Sequence, residues 1–430
     1  MTVRPALSIV VPTNGRPGPI RRLLRALTRQ QHAPAFEVTI VADGVVPAAT
    51  GVGDPGAWPY TVHVVTQPHA GAAKARNNGA SRAASDTLLF MDDDVEPGPG
   101  VVAAHVAFHA RQSRQIGTGE LVPHSIHGGT IGAALCGWWE VMGDALADPR
   151  HRFTFRDVLT GHCSMSRRTF DEIDGFDPSL RCHEDFDFGF RALERGFDIG
   201  FVRDAHAVHH DDSDLNKIVR RKFDEGIASV QLIAKHPRLF RSLVIGRPVV
   251  QGRVAKMVRN AAAGQSTVSS LIPPALRVGM RTFDALSMRD KWRVSLDMLM
   301  DHAFWSGVVQ AAGGSQQVRA IREQTGPVPR AALVVDLAPG LERAERVIDE
   351  SRPHALRVMF GEHLVGELED EPGAERLRGV HLRPILLKNM APSLAIAALR
   401  SGLLPEVFHG VAGHAEFATV RADTGAGQAA

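Results

Sequence analysis

The stretch DTLLFMDDD, Asp86–Asp94, joins an apolar run directly to three consecutive aspartates. An apolar run of this length bounded by polar residues is typical of a buried strand. Aspartates that follow such a strand lie at the rim of the sheet, and in open parallel sheets that rim binds ligands. This stretch therefore predicts an α/β fold and the place of its functional site.

Upstream of this stretch, apolar runs alternate with helical patterns. The runs Leu7–Pro12, Phe36–Asp43 and Thr61–Gln67 are predicted as strands, and residues 16–31 and 71–84 as helices. Alternation of this kind indicates βαβ units. We therefore expect a Rossmann-like, mostly parallel sheet flanked by helices.

Downstream, the chain from Leu159 to His210 continues the same domain. Its pattern predicts a strand, a helix over Arg168–Ile173, a turn, a helix over Glu184–Arg195, and then DIGFV and AHAVHH as two short strands. The first domain is accordingly predicted to span residues 1–215.

Two further regions follow this domain. Residues 216–315 have helical patterns, and within them Gly226–Phe283 contains nine Lys and Arg residues and no Asp or Glu. Residues 316–430 predict a small α/β domain with an acidic helix over Leu341–Ser351 and a hairpin turning at Gly361-Glu362.

Composition excludes several classes of protein. The 430 residues carry 49 Lys+Arg and 47 Asp+Glu, a net charge of +2, with 44% hydrophobic residues. This balance is typical of a globular chain and argues against a disordered chain or a nucleic-acid partner. Three cysteines without CxxC spacing argue against a disulfide framework or a structural zinc site and fit a reducing cytosol. No apolar run reaches the roughly 18 residues that a membrane span needs, so we expect a cytoplasmic protein.

The three aspartates predict a metal site. Like charges packed this closely need solvent or a cation to screen them. In an extended segment Asp92 and Asp94 point the same way, so both can face one Mg²⁺ or Mn²⁺ ion while Asp93 points elsewhere. A solvated acidic loop or an incidental calcium site is the alternative.

Other polar residues at strand ends predict a nucleotide cradle around this metal. Pro12 and Thr13 end the first predicted strand and Asp43 ends the second, while Arg76 and Asn77 lie in the first turns of a helix. An aspartate at a strand end accepts hydrogen bonds from a base or ribose, and Arg and Asn offer donors to a diphosphate. Taken singly, each residue also fits a turn or a solvated surface.

In this order, the segments resemble the inverting family 2 glycosyltransferases of the GT-A fold. The resemblance covers about residues 6–225 and is carried by LSIVVPTNGR, Asp43, GAAKARNNGA, LLFMDDDVEP, GHCSMSRRTFDEIDGFDPSL and HEDFDFGFRALERGFDIGFVRDAHAVHH. One departure is PTNGR, where the family more often has an aromatic residue before Asn.

The resemblance implies roles for the residues of the cradle. Pro12, Thr13 and Asp43 would hold the nucleoside. Arg76 and Asn77 would lie near the diphosphate, and Asp92 and Asp93 would contact the donor. Asp92 and Asp94 would form the DXD metal site for Mn²⁺ or Mg²⁺.

The HED segment supplies the expected base. Glu184 and Asp185 begin a helix, whose dipole favours an ionised carboxylate, although an ordinary acidic helix start has the same pattern. An inverting transfer needs a carboxylate that takes the proton of the acceptor hydroxyl. By resemblance Asp185 is that base, supported by Glu184, and His209 completes the metal shell, with His210 beside it as the other choice of ring.

Acceptor contacts are harder to predict. Trp138 or Trp139 would offer an indole face to a sugar ring, although adjacent helix residues point about 100° apart, so at most one of them lines a pocket. The segment GHCSMSRR resembles the family's loop before the GFD turn, which implies that His162 or Ser164 contacts the donor sugar or the acceptor. Because an inverting transfer needs no nucleophilic thiol, Cys163 and Cys182 are not assigned to catalysis.

The acid-free region allows three interpretations. Its Arg and Lys residues suit an anionic membrane surface, the phosphates of an acceptor, or docking against the acidic final segment.

The sequence thus predicts a metal-dependent inverting glycosyltransferase. It would use a nucleotide-diphosphate sugar, UDP-linked, and an acceptor hydroxyl on a glycan, lipid or small metabolite. The alternatives are a nucleotidyltransferase acting on sugar phosphates, and a glycan- or nucleotide-binding scaffold without turnover. We expect a cytoplasmic location, and the basic region allows peripheral contact with the cytoplasmic face of the membrane.

Overall fold

The computed structural model describes residues 4–111, 114–246, 262, 267–323 and 330–401. The chain forms two compact units. The first takes residues 1–328 together with Glu371–Glu375, and the second takes Pro329–Asp370 and residues 376–430. The predicted boundaries after residues 215 and 315 stay predictions.

A mixed sheet of eight strands forms the centre of the first unit. The strands are β1 (Leu7–Thr13), β2 (Phe36–Asp43), β3 (Thr61–Gln67), β4 (Thr87–Met91), β5 (Val95–Pro97), β6 (Gln115–Ser125), β7 (His162–Ser166) and β8 (Asp198–Asp211). Their order is β3-β2-β1-β4-β7-β6-β8-β5. Strands β1 to β4 are parallel to each other, whereas β7 is antiparallel to both of its neighbours. The expected α/β fold is confirmed.

Helices cover both faces of this sheet. They are α1 (Pro17–Leu27), α2 (Ala72–Arg82), α3 (Val101–Arg111), α4 (Gly129–Ala147), α5 (Arg167–Ile173), α6 (Glu184–Glu194), α7 (Leu215–Lys235), α8 (Thr267–Ala285), α9 (Arg289–Ala312) and α10 (Ser315–Glu323). Local sequence explains their starts: Pro17 occupies the first turn of α1, where its missing N–H costs nothing, and Asp214 caps α7 through the Lys217 amide. Strands β1 to β4 and helices α2 and α6 lie close to their predicted positions.

The core has two layers, one on each face of the sheet. Successive residues of β1 face opposite layers. Ile9 and Val11 pack with α1, whereas Val10 packs with α2 and a group of phenylalanines. This arrangement fixes which side chains of each strand reach the core. It leaves the strand ends of β1, β2 and β4 together at one rim.

One expectation about the strands is wrong. DIGFV and AHAVHH are not two short strands but parts of the 14-residue strand β8. β8 runs parallel to β6 along its whole length, with an irregularity in register between Gly119 and Glu120, and its far end pairs with β5. The sequence pattern had treated the charged residues Arg203 and Asp204 as a break, whereas they lie within an exposed part of the strand.

Helices α7 and α9 pack closely at two glycines. A Cβ atom on Gly226 would lie 2.1 Å from the Phe304 carbonyl oxygen, and one on Gly307 would lie 2.0 Å from the Phe223 carbonyl oxygen. Only glycine allows this approach of the two backbones. The contact holds α7 in the position from which it lines the site described below.

The second unit has its own small sheet and core. Strands β9 (Leu333–Asp336), β10 (Leu356–Phe360) and β11 (His363–Leu368) pack with α11 (Leu341–Ser351), α12 (Leu382–Ile385) and α13 (Ala391–Arg400). β10 and β11 form the predicted antiparallel hairpin, and Gly361 adopts the positive φ of its turn. Among the described residues of both units, every helix is too short or too polar to cross a bilayer.

Candidate active site

The strand ends of β1, β2 and β4 meet at a small pocket of about 290 Å³. Its lining includes Pro12, Thr13, Asp43, Asp92 and Asp93. The parallel order of these strands is the reason, since parallel strands end at the same rim. The structure thus brings together residues that lie 80 positions apart in the sequence.

Asp43 is the anchor of the loop between β3 and α2. Its carboxylate accepts hydrogen bonds from the Ala70 amide (2.8 Å), the Gly71 amide (2.9 Å) and the Gln67 side chain (2.9 Å). Burial opposes its ionisation, but these donors outweigh burial and lower the pKa of Asp43. Asp43 is therefore ionised at neutral pH and shapes one wall of the small pocket.

Asp93 is held by Arg16, a residue that the sequence motifs did not single out. The Thr13 hydroxyl donates to Asp93 Oδ2 (2.6 Å), and the Arg16 guanidinium bonds both oxygens of Asp93 and also Asp94 (3.1 Å). Burial raises the pKa of Asp93 to about 6 even against the Arg16 charge. Asp93 and Asp94 thus share one nitrogen of the Arg16 guanidinium, instead of facing apart as the alternation of an extended segment predicted. In the sequence, the only indication of this ion pair is that Arg16 closely follows the end of β1, on the same rim as the aspartates.

Asp94 also faces His209. The two are brought together because β5 pairs with β8, so that Val95 lies opposite His209. His209 Nε2 lies 3.7 Å from Asp94 Oδ1, whereas His210 Nε2 contacts Glu96 (2.9 Å). Of the two candidate rings, the one that faces the aspartates is thus His209.

The Asp94–His209 pair has unsatisfied polar atoms. Asp94 Oδ1 and His209 Nδ1 are buried, and neither has a hydrogen-bond partner among the described residues. Within the same part of the chain, no group of three His, Cys, Asp or Glu side chains is arranged to hold a metal ion. A carboxylate oxygen and an imidazole nitrogen are suitable donors for a divalent cation such as Mn²⁺, so the pair fits such an ion with two protein ligands.

Arg76 joins the aspartate loop to helix α6. Its buried guanidinium donates to Asp92 Oδ1 (2.7 Å) and to Glu184 Oε1 (2.7 Å), and it lies over the Phe176 ring. Burial disfavours the charge of Asp92, but Arg76 outweighs it and keeps the pKa of Asp92 below its usual value. Asn77, beside Arg76, uses its amide on both backbone groups of Phe176 (2.7 and 2.9 Å).

Helix α6 presents Glu184 and Asp185 from its first turn. The residue before it, His183, has a left-handed backbone (φ 62°) and stacks on Phe186 at a centroid distance of 4.2 Å. Burial, together with the neighbouring Glu184 charge, raises the pKa of Asp185 to about 7. A carboxylate with this pKa exchanges a proton readily at neutral pH.

A large cavity of about 1310 Å³ opens in front of these residues. Asp92, Glu184, Asp185, His209 and Trp139 all line it. The other walls include the loop 159–161, the turn before α6 and most of α7. The rim of the sheet and the acidic turn of α6 therefore share one solvent-filled space.

The two tryptophans of α4 point in different directions. Trp139 lines the large cavity and meets the His209 ring edge to face at 4.7 Å. Trp138 packs among α8 and α9 and lies under the Arg293 guanidinium at 5.2 Å. One tryptophan thus lines the pocket, as the helical geometry required.

His162 and Ser164 lie on the face of β7 that α3 covers, and neither lines the large cavity. Both are fully buried, and the His105 ring bonds the Ser164 hydroxyl (2.7 Å) and His162 Nε2 (3.1 Å). Burial lowers the pKa of His162 to about 4. As placed, neither side chain reaches the cavity, so we leave both out of the proposed acceptor site.

The fold and the site together define a glycosyltransferase of the GT-A fold. Residues 8–174 match Glycosyl transferase family 2, and the chain is a glycosyltransferase. The nucleotidyltransferase alternative is thereby set aside.

Known proteins similar to this chain are glycosyltransferases of different specificity. The pre-mycofactocin glycosyltransferase of Mycobacterium tuberculosis is 24% identical over 370 residues, which cover 81% of this chain and 74% of that protein. The validoxylamine A glucosyltransferase of Streptomyces hygroscopicus is 37% identical over 109 residues, 25% of this chain and 24% of that protein. Among solved structures, a mannosyltransferase from Pyrobaculum calidifontis in complex with GDP-Man and Mn²⁺ has a TM-score of 0.46 and 15% identity, covering 71% of this chain and 88% of that chain.

Proposed function

We propose that this chain transfers a sugar from a nucleotide-diphosphate sugar, UDP-linked, to an acceptor hydroxyl with inversion at the anomeric carbon. The observation that carries the proposal is that Asp185 and the rim residues Asp92 and His209 line the same cavity. A base and a donor site that share one space permit a single in-line displacement.

On the donor side, the small pocket would take the nucleoside. Pro12 and Thr13 form one wall, and Asp43 holds the opposite loop through its backbone bonds. Asp92 and Asp93 line this pocket, and Asp92 also lines the large cavity. Because the Arg76 guanidinium is bonded to Asp92 and Glu184, we assign it no direct contact with the diphosphate. It would instead hold Asp92 in position beside the donor. Asn77 supports the same part of the site through its bonds to Phe176.

For the chemical step, we assign the base to Asp185. The acceptor hydroxyl loses its proton to the Asp185 carboxylate as its oxygen attacks the anomeric carbon from the face opposite the diphosphate. A pKa near 7 balances two needs, an ionised carboxylate at neutral pH and enough basicity to take the proton. Glu184, fixed by Arg76, positions the first turn of α6.

A divalent ion is the proposed cofactor. Asp94 and His209, with Asp92 close by, would hold Mn²⁺ or Mg²⁺, and the ion would stabilise the charge of the departing diphosphate. The unsatisfied Asp94 Oδ1 supports this assignment.

The acceptor would occupy the large cavity, with Trp139 as the proposed sugar platform. The volume of about 1310 Å³ suits an acceptor larger than a single sugar, on a glycan, a lipid or a metabolite.

Contact with an anionic membrane is a further part of the proposal. Helix α8 and the turn after it expose Leu271, Val278 and Leu286, each more than half exposed, beside the exposed Arg281. Apolar side chains next to a cation suit the membrane interface. Arg247, Arg253, Lys256 and Arg259 of the same basic region lie outside the described residues. Flotation with anionic and neutral vesicles tests this contact, and equal flotation with both would count against it.

Docking of the basic region against the acidic final segment stays a prediction, as does the cytoplasmic location.

The test of the enzymatic proposal is Asp185→Asn. This change removes the base but keeps its size, so transfer should fall by several orders of magnitude while binding of UDP to the protein in Mn²⁺ stays within a few-fold of wild type. Loss of UDP binding would instead make Asp185 a donor ligand. If the wild type binds UDP and transfers nothing across a panel of donors and acceptors, the scaffold alternative stands.

A further inference from the structure

We propose that the acceptor carries an oxyanion, a phosphate or a carboxylate, close to its reacting hydroxyl, and that Arg181 and Arg221 bind it. This inference rests on the proposed function and specifies the acceptor side of the same site. It follows from the charges on the part of the large cavity that α7 and the turn before α6 line.

The wall formed by α7 has more cations than carboxylates to pair with them. Arg220 pairs with Asp224 (3.2 Å), and Lys222 pairs with Glu225 (2.7 Å). The Nε atom of Arg221 lies 3.5 Å from the same Glu225 carboxylate. One carboxylate therefore serves two cations, and the Arg221 side chain stays 68% exposed to the cavity.

Arg181 adds a second available cation. It is exposed in the turn before α6 and, among the described residues, forms no ion pair. Both arginines line the large cavity and neither belongs to the lining of the small pocket. They are thus placed to meet the acceptor and not the nucleoside.

The two arginines share the large cavity with the proposed base. Arg181 precedes Cys182 directly, in the turn that leads to Asp185. Arg221 and Asp185 both line the large cavity, and the Arg221 charge acts against the raised pKa of Asp185. An acceptor hydroxyl at Asp185 would therefore place its nearby substituents beside Arg221.

Guanidinium groups suit oxyanions for a chemical reason. Their planar N–H donors match the oxygens of phosphate or carboxylate, often with two parallel hydrogen bonds. A neutral acceptor that displaced water from the cavity would give Arg181 no acidic partner and leave Arg221 with only the carboxylate that it shares with Lys222, which costs binding free energy.

Three sugars with the same ring test this inference: glucose, glucose 6-phosphate and glucuronate. Their binding is measured by calorimetry on the full chain saturated with UDP and Mn²⁺, so that the donor site is filled. We expect glucose 6-phosphate or glucuronate to bind about tenfold or more tightly than glucose, the equivalent of one charge-assisted hydrogen bond. The arm that binds better identifies the oxyanion as phosphate or carboxylate.

Matched substitutions complete the test. Arg221→Gln, and Arg181→Gln with it, should remove most of the preference for the anionic sugar and leave UDP binding unchanged. Arg168→Gln is the control, because Arg168 pairs with Glu172 on the exposed face of α5. Equal binding of all three sugars, or an equal effect of the α5 and cavity substitutions, would overturn the inference while leaving the proposed function intact. If the wild type failed to bind UDP, that result would contradict the proposed function and not only this inference.

Discussion

Replacing Arg76 by Gln tests the link between the aspartate loop and helix α6. The change removes the single guanidinium that serves Asp92 and Glu184 at 2.7 Å each. Losing one partner of a buried ion pair costs roughly 3–5 kcal/mol, because the remaining charge is left unpaired. Since Asp92 is 38% exposed to the cavity and Glu184 only 13%, we expect about 3 kcal/mol, the lower end of that range, at pH 8.

The pH dependence of this loss has a definite sign. In the wild type the pKa of Asp92 is depressed, so its stabilisation is present above the ordinary carboxylate pKa of about 4 and is lost as the pH falls below it. Without Arg76, burial raises the pKa of Asp92, and protonation at pH 5 relieves part of the cost. The destabilisation by Arg76→Gln should therefore be smaller at pH 5 than at pH 8.

Urea unfolding followed by tryptophan fluorescence, in EDTA, measures this effect. All five tryptophans lie before residue 328, so the signal reports the first unit alone. Arg168→Gln is the control, since an exposed pair contributes about 0–1 kcal/mol. A loss below 1 kcal/mol at pH 8, or an equal loss at both pH values, would refute the view that Arg76 holds two carboxylates together.

Three further predictions concern the base, the metal pair and the helix packing. Because the pKa of Asp185 is raised to about 7, kcat/KM should rise about tenfold per pH unit up to about pH 7 and then level off. A profile of kcat/KM that levels off already near pH 4 would count against Asp185 as the base. His209→Ala should weaken Mn²⁺ binding, measured by electron paramagnetic resonance, by about tenfold or more, whereas His210→Ala should not; equal effects would remove His209 from the metal site. Gly226→Ala should lower the urea midpoint by an amount equal to about 1–3 kcal/mol, because its Cβ meets the Phe304 carbonyl. The control Gly143→Ala on α4 has open space and should stabilise by about 0.5–1 kcal/mol, and a stable Gly226→Ala protein would contradict the close packing.

Local pattern was enough to predict the parallel half of the sheet. Strands β1, β2 and β4 are buried on both faces, so they appear in the sequence as continuous apolar runs that end in polar residues. β8 was divided wrongly, since its middle is exposed and charged and therefore lacks that pattern.

Placement of the site residues depended on pairing that no local pattern contains. The choice of His209 over His210 follows from the register of β5 on β8. His162 and Ser164 share one face of β7 because alternate strand residues do, and that face is covered by His105 and His109 of α3, a helix that the sequence analysis did not assign. Arg16 meets Asp93 across 77 residues, so only the fold shows that they are partners.

Arg76 shows how the fold connects the two parts of the site. The rim proposed to bind the donor is built from the carboxyl ends of strands in the first hundred residues, whereas the proposed base lies on a helix that starts at Glu184. A single buried guanidinium bonds one carboxylate from each part, and Asn77 beside it holds the Phe176 turn that precedes α6. Since both residues occupy α2, whose start is fixed by Asp43, the proposed donor pocket and the proposed base are positioned by one short helix. A change that shifts α2 should therefore impair donor binding and the chemical step together, whereas a change in the α7 wall should affect the acceptor alone.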